Sequence, residues 1–331
     1  MTKALRRRAA APPSAESLRG GAPPPLALSN LAALAARPCL APGWKPCFVK
    51  AQNKELRALR AAHRFFGEVR VDVTGAPPIS MLNHDDDLVA YIYFFYGRDA
   101  YESLSCRLFA GLAPGAEVAL DIGAFTGLFG LIAAKCAPEA HVVSFEPTPH
   151  IVERARLNGV MNGLANYVVE PLAVSDAKGS GSLTLYGDHA GTTGASLATK
   201  PRSDIGAIEV ATTTVDDYVA TLGERRVSLV KLDTEGAELK AIAGAAETLR
   251  EHGPVVLSEV LSDEALAAQS AAMAAFGYSV RFVNEKRRRL VRIGPRFTLK
   301  SRGAYGNVLF TRGAEDEARA LAIADAFREA R

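Results

Sequence analysis

Short apolar runs alternate with amphipathic stretches through most of the chain from residue 118 onward. The apolar runs predict strands at 118–122, 141–146, 167–170, 227–233 and 254–259. The stretches between them have the apolar spacing of helices, at 127–136, 148–161, 237–250 and 263–276. Because strand and helix alternate at close spacing, the sequence predicts an α/β fold with a mainly parallel, doubly wound sheet.

The last part of the chain departs from this alternation. Runs at 278–283 and 307–311 are close enough to pair as antiparallel strands, and 314–331 predicts a closing helix. Earlier, residues 187–208 are rich in Gly, Ser and Thr and predict a long loop.

Residues 55–110 predict a cap region of helices and a hairpin ahead of the main sheet. Val69, Val71 and Val73 alternate with polar residues as in a half-buried strand, and 79–82 is the expected hairpin partner. The aromatic-rich run Leu88–Tyr96 predicts a helix that faces the core. The alternative is that its aromatic rings line a substrate cleft.

Residues 1–54 differ in charge from the rest of the chain. Glu16 is the only acidic residue among them, and prolines and glycines are frequent. This composition predicts a flexible basic extension, and an Arg-rich, acid-poor start is also similar to an organellar transit peptide. We therefore expect three regions, 1–54, 55–110 and 111–331, in a cytoplasmic protein or, alternatively, one imported into an organelle.

The composition of the chain favours some classes of protein over others. The chain has 331 residues, 48% hydrophobic and 23% charged, as is usual for soluble globular proteins. A net charge of +3 is too small to indicate a nucleic-acid partner. The cysteines, Cys39, Cys47, Cys106 and Cys136, lack C-x-x-C spacing, which favours a reducing compartment over a zinc site or a disulfide framework. Leu88–Tyr96 is too short to span a bilayer.

A glycine turn follows the strand at 118–122. Gly123 and Gly127 bracket the turn, and a helical pattern begins at Leu128. A strand, a glycine turn and a helix in this order present backbone N–H groups to a ligand. Glu146 ends the next strand, where a carboxylate can accept hydrogen bonds from a ribose. The two features predict a nucleoside-cofactor site.

The spacing of the glycines in the turn distinguishes between the candidate cofactors. The turn is not G-x-G-x-x-G, and Asp121 at the strand tip would repel a pyrophosphate. A nicotinamide-dependent oxidoreductase is therefore the weaker alternative. An acid at this point suits S-adenosylmethionine, which carries a sulfonium and an ammonium and no phosphate.

Five segments in order carry a more specific resemblance. They are Val118-Ala-Leu-Asp-Ile-Gly-Ala-Phe-Thr-Gly127, Phe145-Glu-Pro147, Leu172-Ala-Val-Ser-Asp176, Val230-Lys-Leu-Asp-Thr-Glu-Gly-Ala-Glu238 and Asn307-Val-Leu-Phe310. Together with Glu259, this order resembles the FkbM-type family of S-adenosylmethionine-dependent methyltransferases. The resemblance implies a class I methyltransferase fold, with six parallel strands and one antiparallel strand. It also implies O-methylation of a small metabolite, sugar or glycoconjugate.

The resemblance also assigns cofactor-binding residues. It implies that Asp121, Gly123 and Ala124 hold the methionine end of the donor, with Phe125 and Gly127 in the same turn. Glu146, followed by Pro147, would hold the ribose hydroxyls. Leu172 and Ala173 would border the adenine.

Acids at the tip of the strand at 227–233 are the catalytic candidates. A hydroxyl acceptor must lose its proton, and Asp233 and Glu235 lie where ligands bind in parallel sheets. His189, in the loop after 186, is a third candidate base. For Glu235 the alternative is a favourable charge at a helix N-terminus.

Other properties of the site are left open by the sequence. A divalent metal is not required, although Asp233, Glu235 and Glu259 could supply oxygen ligands. A non-catalytic protein that retains the fold is a further alternative, and the sequence indicates no oligomeric state.

Overall fold

The main sheet dominates the computed structural model, which describes residues 26–44, 54–186, 195–196, 204–299 and 305–330. Within these ranges the sheet has eight strands. From one edge to the other they are β13 (Arg289–Arg292), β12 (Ser279–Asn284), β14 (Gly306–Thr311), β11 (Val255–Val260), β10 (Val227–Leu232), β3 (Val118–Ile122), β4 (His141–Phe145) and β5 (Tyr167–Glu170).

The strand directions confirm the mainly parallel sheet. Strands β11, β10, β3, β4 and β5 are parallel to their neighbours in that series, and β14 runs antiparallel to both β11 and β12. The predicted antiparallel pairing of the last two runs is therefore confirmed. The sheet has one more antiparallel strand than expected, because β13 forms a hairpin with β12 and buries Leu290 at the edge.

Helices cover both faces of this sheet. They are α5 (Leu128–Cys136), α6 (Pro149–Met161), α7 (Val215–Val219), α8 (Glu238–Ala243), α9 (Ala246–Glu251), α10 (Asp263–Ala274) and α11 (Ala314–Glu329). Successive residues of a strand point to opposite faces, so Ala119 and Val142 lie in one apolar core and Leu120 and Val143 in the other. The doubly wound arrangement follows from these two cores.

The cap region contains α2 (Lys54–Ala62), β1 (Phe66–Val71), β2 (Ile79–His84), α3 (Leu88–Tyr96) and α4 (Ser103–Leu112). The predicted hairpin is confirmed, since β1 and β2 pair antiparallel. Every residue of α3 is buried, and Tyr91 and Phe95 are 0% exposed. The aromatic run is therefore part of the core, and the alternative of a cleft lined by these rings is wrong.

Part of the N-terminal stretch is packed against this cap. Helix α1 (Leu26–Ala35) contributes Ala33, which is 0% exposed. The Asn30 amide donates to Phe66 O at 2.8 Å and accepts from Phe66 N at 3.1 Å. One apolar core includes Ala33, Leu56 of the cap and Leu131 of α5. Residues 26–44 thus extend the same core as the cap and the main sheet.

A second, smaller sheet lies beside the first. Its strands, in spatial order, are β6 (Ala173–Val174), β9 (Asp204–Thr213), β7 (Gly179–Tyr186) and β8 (Ala195–Ser196). Residues 204–208 were expected in a loop but begin β9, which pairs with β7 over most of its length. Among the described residues, no helix combines the length and the apolar character needed to cross a bilayer.

Candidate active site

The candidate site lies where β3, β4, β10 and β11 end. Their carboxyl ends share one edge of the sheet because the four strands are parallel. The edge brings together the glycine turn after β3, Glu146 after β4, Asp233 after β10 and Glu259 near the end of β11. Ligands of open parallel sheets bind at this edge.

Gly123 is required by a close contact between two backbone segments. Its φ is +78°, and a Cβ built there would lie 1.7 Å from the carbonyl oxygen of Asp233. The N–H groups of Gly123 and Ala124 both donate to Phe145 O at 3.0 Å. The turn after β3 is therefore clamped between β4 and the segment that carries Asp233.

The second half of the turn brings α5 close to β5. Gly127 has φ +93° and directly precedes α5, and a Cβ there would lie 2.3 Å from Tyr167 Oη. Between the two glycines, half-buried Phe125 also adopts a left-handed backbone, with φ +49°. A residue other than glycine in this region carries strain that the surrounding contacts must hold in place.

Asp121 supports the turn from within the protein. Its side chain is 1% exposed, and Oδ2 accepts from Gly130 N at 2.8 Å and from Ser144 Oγ at 3.4 Å. Burial raises the pKa of Asp121 to about 6. These contacts tie β3 to α5 and β4. Asp121 therefore acts on the turn through α5, and its contact with the methionine end of the donor stays a prediction.

Glu146 links the glycine turn to the start of α6. Its carboxylate accepts from Phe125 N at 3.1 Å and from Thr148 N at 2.8 Å. Burial raises its pKa. Each carboxylate oxygen has a second acceptor position, so Glu146 can hold the loop and still accept from a diol.

The remaining cofactor-side residues flank Glu146. Pro147 is half-buried beside it, and Leu172 is half-buried against the same apolar core as Phe145. Ala173 is buried in the short strand β6. Residues 172–173 lie just beyond the end of β5, after Pro171, and β5 is the next parallel strand beyond β4.

Lys231 lies beneath the acids of the site and was missed by the sequence reasoning. It is 1% exposed, and Nζ lies 2.8 Å from Asp233 Oδ2 and 5.0 Å from the ring centre of Phe129. Burial alone lowers the pKa of a lysine, but Asp233, Glu102 and Glu259 outweigh it, and the pKa of Lys231 is raised. The ammonium therefore stays charged. A lysine within an otherwise apolar strand was the signal that could have identified it.

Two glutamates at the turn after β10, Glu235 and Glu238, have different roles. Glu238 is 2% exposed, and one of its oxygens accepts from Thr234 N, Thr234 Oγ1 and Gly236 N. Glu238 therefore shapes the turn. Glu235, at the centre of the turn, has φ +53°. Burial and the neighbouring Asp233 raise the pKa of Glu235 to about 8.

Three carboxylates meet above Lys231. An oxygen of each of Asp233, Glu235 and Glu259 lies within 4.8 Å of the other two. Burial, followed by Asp233 and Glu235, raises the pKa of Glu259. Oε2 of Glu259 is buried and has no hydrogen-bond partner among the residues that the structure describes. Oxygen ligands of this kind could hold a hard divalent cation. Without a cation, the cluster must hold protons.

Glu102 adds a fourth carboxylate from the cap region. It directly precedes α4 with φ +39°, and its carboxylate accepts from Asn307 Nδ2 at 2.8 Å. Burial and Asp233 raise the pKa of Glu102 despite the opposing effect of Lys231. No sequence pattern predicts a role for Glu102. The third candidate base predicted from the sequence, His189, lies outside the described residues.

The charges of the site define its chemistry. Four carboxyl groups, on Glu102, Asp233, Glu235 and Glu259, are opposed within the cluster by the ammonium of Lys231. A surplus of partly buried acids attracts a cationic ligand, and an ionised member can accept a proton.

The central part of the chain matches a known protein family. The family model described as the methyltransferase FkbM domain matches residues 121–280. The matched range contains the glycine turn, Glu146, Asp233 and Glu259, and it excludes Glu102 and Asn307.

Two curated methyltransferases and one solved structure illustrate the similarity. The chain is 27% identical over 162 residues to the 31-O-demethyl-FK506 methyltransferase FkbM of Streptomyces tacrolimicus, covering 41% of this chain and 62% of that protein. It is 31% identical over 150 residues to the 2-O-methyltransferase NoeI of Sinorhizobium fredii, covering 40% and 58%. A crystal structure of methyltransferase FkbM from Methylobacillus flagellatus aligns at 14% identity and TM-score 0.39, over 59% of this chain and 43% of that one. The aligned regions thus span about three fifths of each curated methyltransferase.

Proposed function

Because the chain is an FkbM-type methyltransferase family member, we propose that it transfers a methyl group from S-adenosylmethionine to a hydroxyl of a small metabolite, sugar or glycoconjugate. The observation that carries this proposal is the contact between the glycine turn and the acid cluster. A Cβ on Gly123 would lie 1.7 Å from Asp233 O, so the segment proposed to bind the donor directly adjoins the segment proposed to take the proton.

The chemistry of the residues fits the donor. The acid cluster around Lys231 suits the positive charge of a sulfonium, as it would not suit a pyrophosphate. The turn that contains Gly123, Ala124, Phe125 and Gly127 would hold the methionine end. Glu146, beside Pro147, would accept from the ribose hydroxyls, and Leu172 and Ala173 would border the adenine. When bound, S-adenosylmethionine supplies an electrophilic methyl group.

Two carboxylates compete for the role of base. The ammonium of Lys231 is ion-paired with Asp233 at 2.8 Å, which makes Asp233 the first candidate to accept the hydroxyl proton. With a pKa of about 8, Glu235 becomes ionised only in alkaline solution in the ligand-free protein. His189 stays a third candidate. Alignment of the acceptor with the methyl group supplies much of the acceleration in such displacements.

The names of the two curated relatives support a hydroxyl acceptor. One is called a 31-O-demethyl-FK506 methyltransferase and the other a 2-O-methyltransferase. Each name places the methyl group on an oxygen. A small-molecule or glycoconjugate acceptor, and no nucleic acid, is proposed for this chain on the same basis.

Donor binding is tested first, by isothermal titration with S-adenosylhomocysteine and with NAD. We expect binding of S-adenosylhomocysteine, and binding of NAD alone would favour the oxidoreductase alternative. Transfer is then tested by incubation with isotopically labelled donor and extract of the host cells, followed by isolation of the labelled product. Donor binding without any labelled product would favour a non-catalytic protein.

The same transfer assay separates the roles of the carboxylates and of a metal. Asp233→Asn should abolish transfer while S-adenosylhomocysteine still binds, whereas Asp217→Asn, at an exposed position of α7, should behave as wild type. Each protein is assayed with and without EDTA. A loss of transfer that Mg²⁺ restores would make Asp233, Glu235 and Glu259 a metal site.

A further inference from the structure

Asn307 occupies the point where the cap region meets the acid cluster. It lies on β14, 3% exposed, directly opposite Glu259 in the pairing of β11 with β14. Its Oδ1 accepts from Lys231 Nζ at 3.3 Å. Its Nδ2 donates to Glu102 Oε2 at 2.8 Å and to Ser105 Oγ at 3.0 Å. The amide therefore contacts both the sheet and the cap.

The chemistry of these partners fixes the orientation of the amide. A lysine ammonium can only donate, so it must face the amide oxygen. Glu102 Oε2 acts as an acceptor here, and it faces the amide nitrogen. If the amide of Asn307 were turned around, its N–H group would face the ammonium of Lys231, donor against donor. Its oxygen would then face the carboxylate of Glu102, acceptor against acceptor. Among common side chains, an amide suits a site between Lys231 and Glu102 for this reason.

The far side of Asn307 is held by the start of α4. Ser105 Oγ, which accepts from Asn307, donates to Glu285 Oε1 at 2.6 Å. Glu285 also accepts from Leu104 N at 2.6 Å and Ser105 N at 3.1 Å. The carboxylate of Glu285 thus satisfies the first N–H groups of α4 and anchors Ser105. Asn307 has little freedom to turn away from Lys231.

Lys231 has more than one acid available as a partner. Asp233 is its ion-pair partner at 2.8 Å, and Glu102 and Glu259 also act on its charge. Asn307 occupies the space between Lys231 and Glu102 and satisfies both groups. Without the amide, Glu102 would lose the donor Asn307 Nδ2, and Lys231, whose charge already acts on Glu102, is the cation that could replace it.

We propose that Asn307 is a positioning residue for proton removal, which keeps Lys231 paired with Asp233 by separating Lys231 from Glu102. This role rests on the proposed methyl transfer. It links Glu102 of the cap to Lys231 through Asn307 of β14. Lys231 is in turn the ion-pair partner of Asp233, the proposed base. Neither Asn307 nor Glu102 lies in the range matched by the family model.

Two substitutions at Asn307 and one control test the role. Asn307→Asp keeps the size and an acceptor for Lys231 but cannot donate to Glu102 when ionised, and Asn307→Leu removes both contacts. Asn284→Asp is the control, since Asn284 is 8% exposed at the end of neighbouring β12 and its Oδ1 only accepts from Arg287 N. Thermal unfolding of each protein verifies that it is folded.

The first measurement does not need a methyl acceptor. The ammonium of Lys231 is observed by NMR in ¹⁵N-labelled protein, and Lys231→Met assigns its signal. We expect the signal to be retained in Asn284→Asp and to shift or broaden in both Asn307 variants, because the partners of the ammonium change. An unchanged signal in both Asn307 variants would overturn the role.

The second measurement is the rate of label transfer to host extract as a function of pH. We expect Asn307→Asp to lower the rate at least about tenfold at neutral pH and to move the acid limb upward by roughly one pH unit, because an added carboxylate disfavours ionisation of its neighbours. S-adenosylhomocysteine affinity should stay within about twofold of wild type, since Lys231, Glu102 and Ser105, the hydrogen-bond partners of Asn307, are not among the residues proposed to bind the donor.

The outcomes separate this inference from the function on which it rests. If wild type neither binds S-adenosylhomocysteine nor transfers label, the proposed function fails and the role of Asn307 fails with it. If wild type transfers label and Asn307→Asp matches it in rate and pH profile, only the role of Asn307 fails. A rate that falls merely in proportion to the folded fraction would reduce Asn307 to a structural residue.

Discussion

Lys231 Nζ lies 2.8 Å from Asp233 Oδ2, at the end of the strand that leads into the active site. Side chains two residues apart in a strand point to the same face, so the spacing K-x-D directs the ammonium and the carboxylate to the same side. The pair differs in exposure, with side chains 1% and 22% exposed. The charge is thus buried beneath the site, while the acid can still reach a ligand.

Replacement of Lys231 by Met should destabilise the protein and abolish methyl transfer. Removal of one partner from a buried ion pair leaves an uncompensated charge and costs about 3–5 kcal/mol in the free energy of unfolding. Chemical denaturation at pH 7 measures this loss. Lys135→Met is the matched control, because half-buried Lys135 donates to the carbonyl of Asn162 at 2.8 Å, and a loss of only about 1 kcal/mol is expected there.

The double variant Lys231→Met, Asp233→Asn separates stability from function. Removal of both charges should recover part of the lost stability, since no ion of the pair is left alone, but transfer should stay absent. Transfer by the double variant at more than a few per cent of the wild-type rate would show that neither residue takes part in the reaction.

Replacement of Gly123 by Ala should abolish donor binding. The new Cβ would lie 1.7 Å from the carbonyl oxygen of Asp233, so the turn and the segment after β10 would have to separate. Isothermal titration with S-adenosylhomocysteine measures the effect, and a loss of at least about tenfold is expected, since displacement of about 1 Å disrupts aligned sites.

Gly163→Ala distinguishes crowding from backbone strain. Gly163 also has positive φ, at +64°, but a Cβ there would meet no atom of the described part of the chain within 4 Å. We expect a stability loss of about 1–2 kcal/mol from the left-handed backbone and unchanged donor affinity. Equal loss of donor affinity in the two variants would contradict the assigned role of Gly123.

The glycine turn and the sheet could be predicted from the sequence because each depends on neighbours close along the chain. Short apolar runs predict the strands, and Gly123 and Gly127 mark the turn before α5. Strand β9 was missed at residues 204–208, because its pairing with β7 across an intervening stretch overrides local composition.

The acid cluster around Lys231 depends on contacts that are distant in sequence. Asn307 meets Glu102 across 205 residues, and no local pattern records that the cap and the antiparallel strand converge. Lys231 differs, because the sequence around it does contain a local signal. An unpaired lysine cannot remain buried in an apolar strand, so its position two residues before Asp233 already implied an acidic partner.

Donor binding should release protons at neutral pH because of Glu235. Its pKa of about 8 in the ligand-free protein means that Glu235 is mainly protonated at pH 7. The sulfonium of S-adenosylmethionine favours the ionised form, so binding should expel part of that proton. S-adenosylhomocysteine has no sulfonium charge and should release fewer protons. Titration calorimetry at pH 7 in buffers of different ionisation enthalpy measures the difference.

Glu235→Gln should remove most of the difference between the two ligands, since Gln cannot release the proton. Glu251→Gln, at an exposed position of α9, should retain it. If S-adenosylmethionine and S-adenosylhomocysteine release equal numbers of protons from wild type, the acid cluster does not adjoin the sulfonium.

Replacement of Asp121 by Asn should remove a pH-dependent loss of stability. Burial raises the pKa of Asp121 from 3.8 to about 6, so the folded protein binds more protons than the unfolded chain between these values. Stability is therefore lost as pH rises through that window, by up to about 1.4 kcal/mol per pH unit from this group. Asn can still accept from Gly130 N and is not ionised. Urea denaturation of both proteins at pH 4, 6 and 8 should show a stability difference that moves in favour of Asn between pH 4 and 6 and is constant above.

The same variant tests whether Asp121 contacts the donor. Its carboxylate is occupied by Gly130 N and Ser144 Oγ, and we expect Asp121→Asn to bind S-adenosylhomocysteine within about threefold of wild type, because a supporting residue that keeps its hydrogen bond leaves the turn in place. A loss of tenfold or more with stability retained would instead place Asp121 in direct contact with the methionine end. Binding within threefold would mean that the turn supported by Asp121 contacts the donor. A tenfold loss would mean that the carboxylate of Asp121 itself contacts the donor.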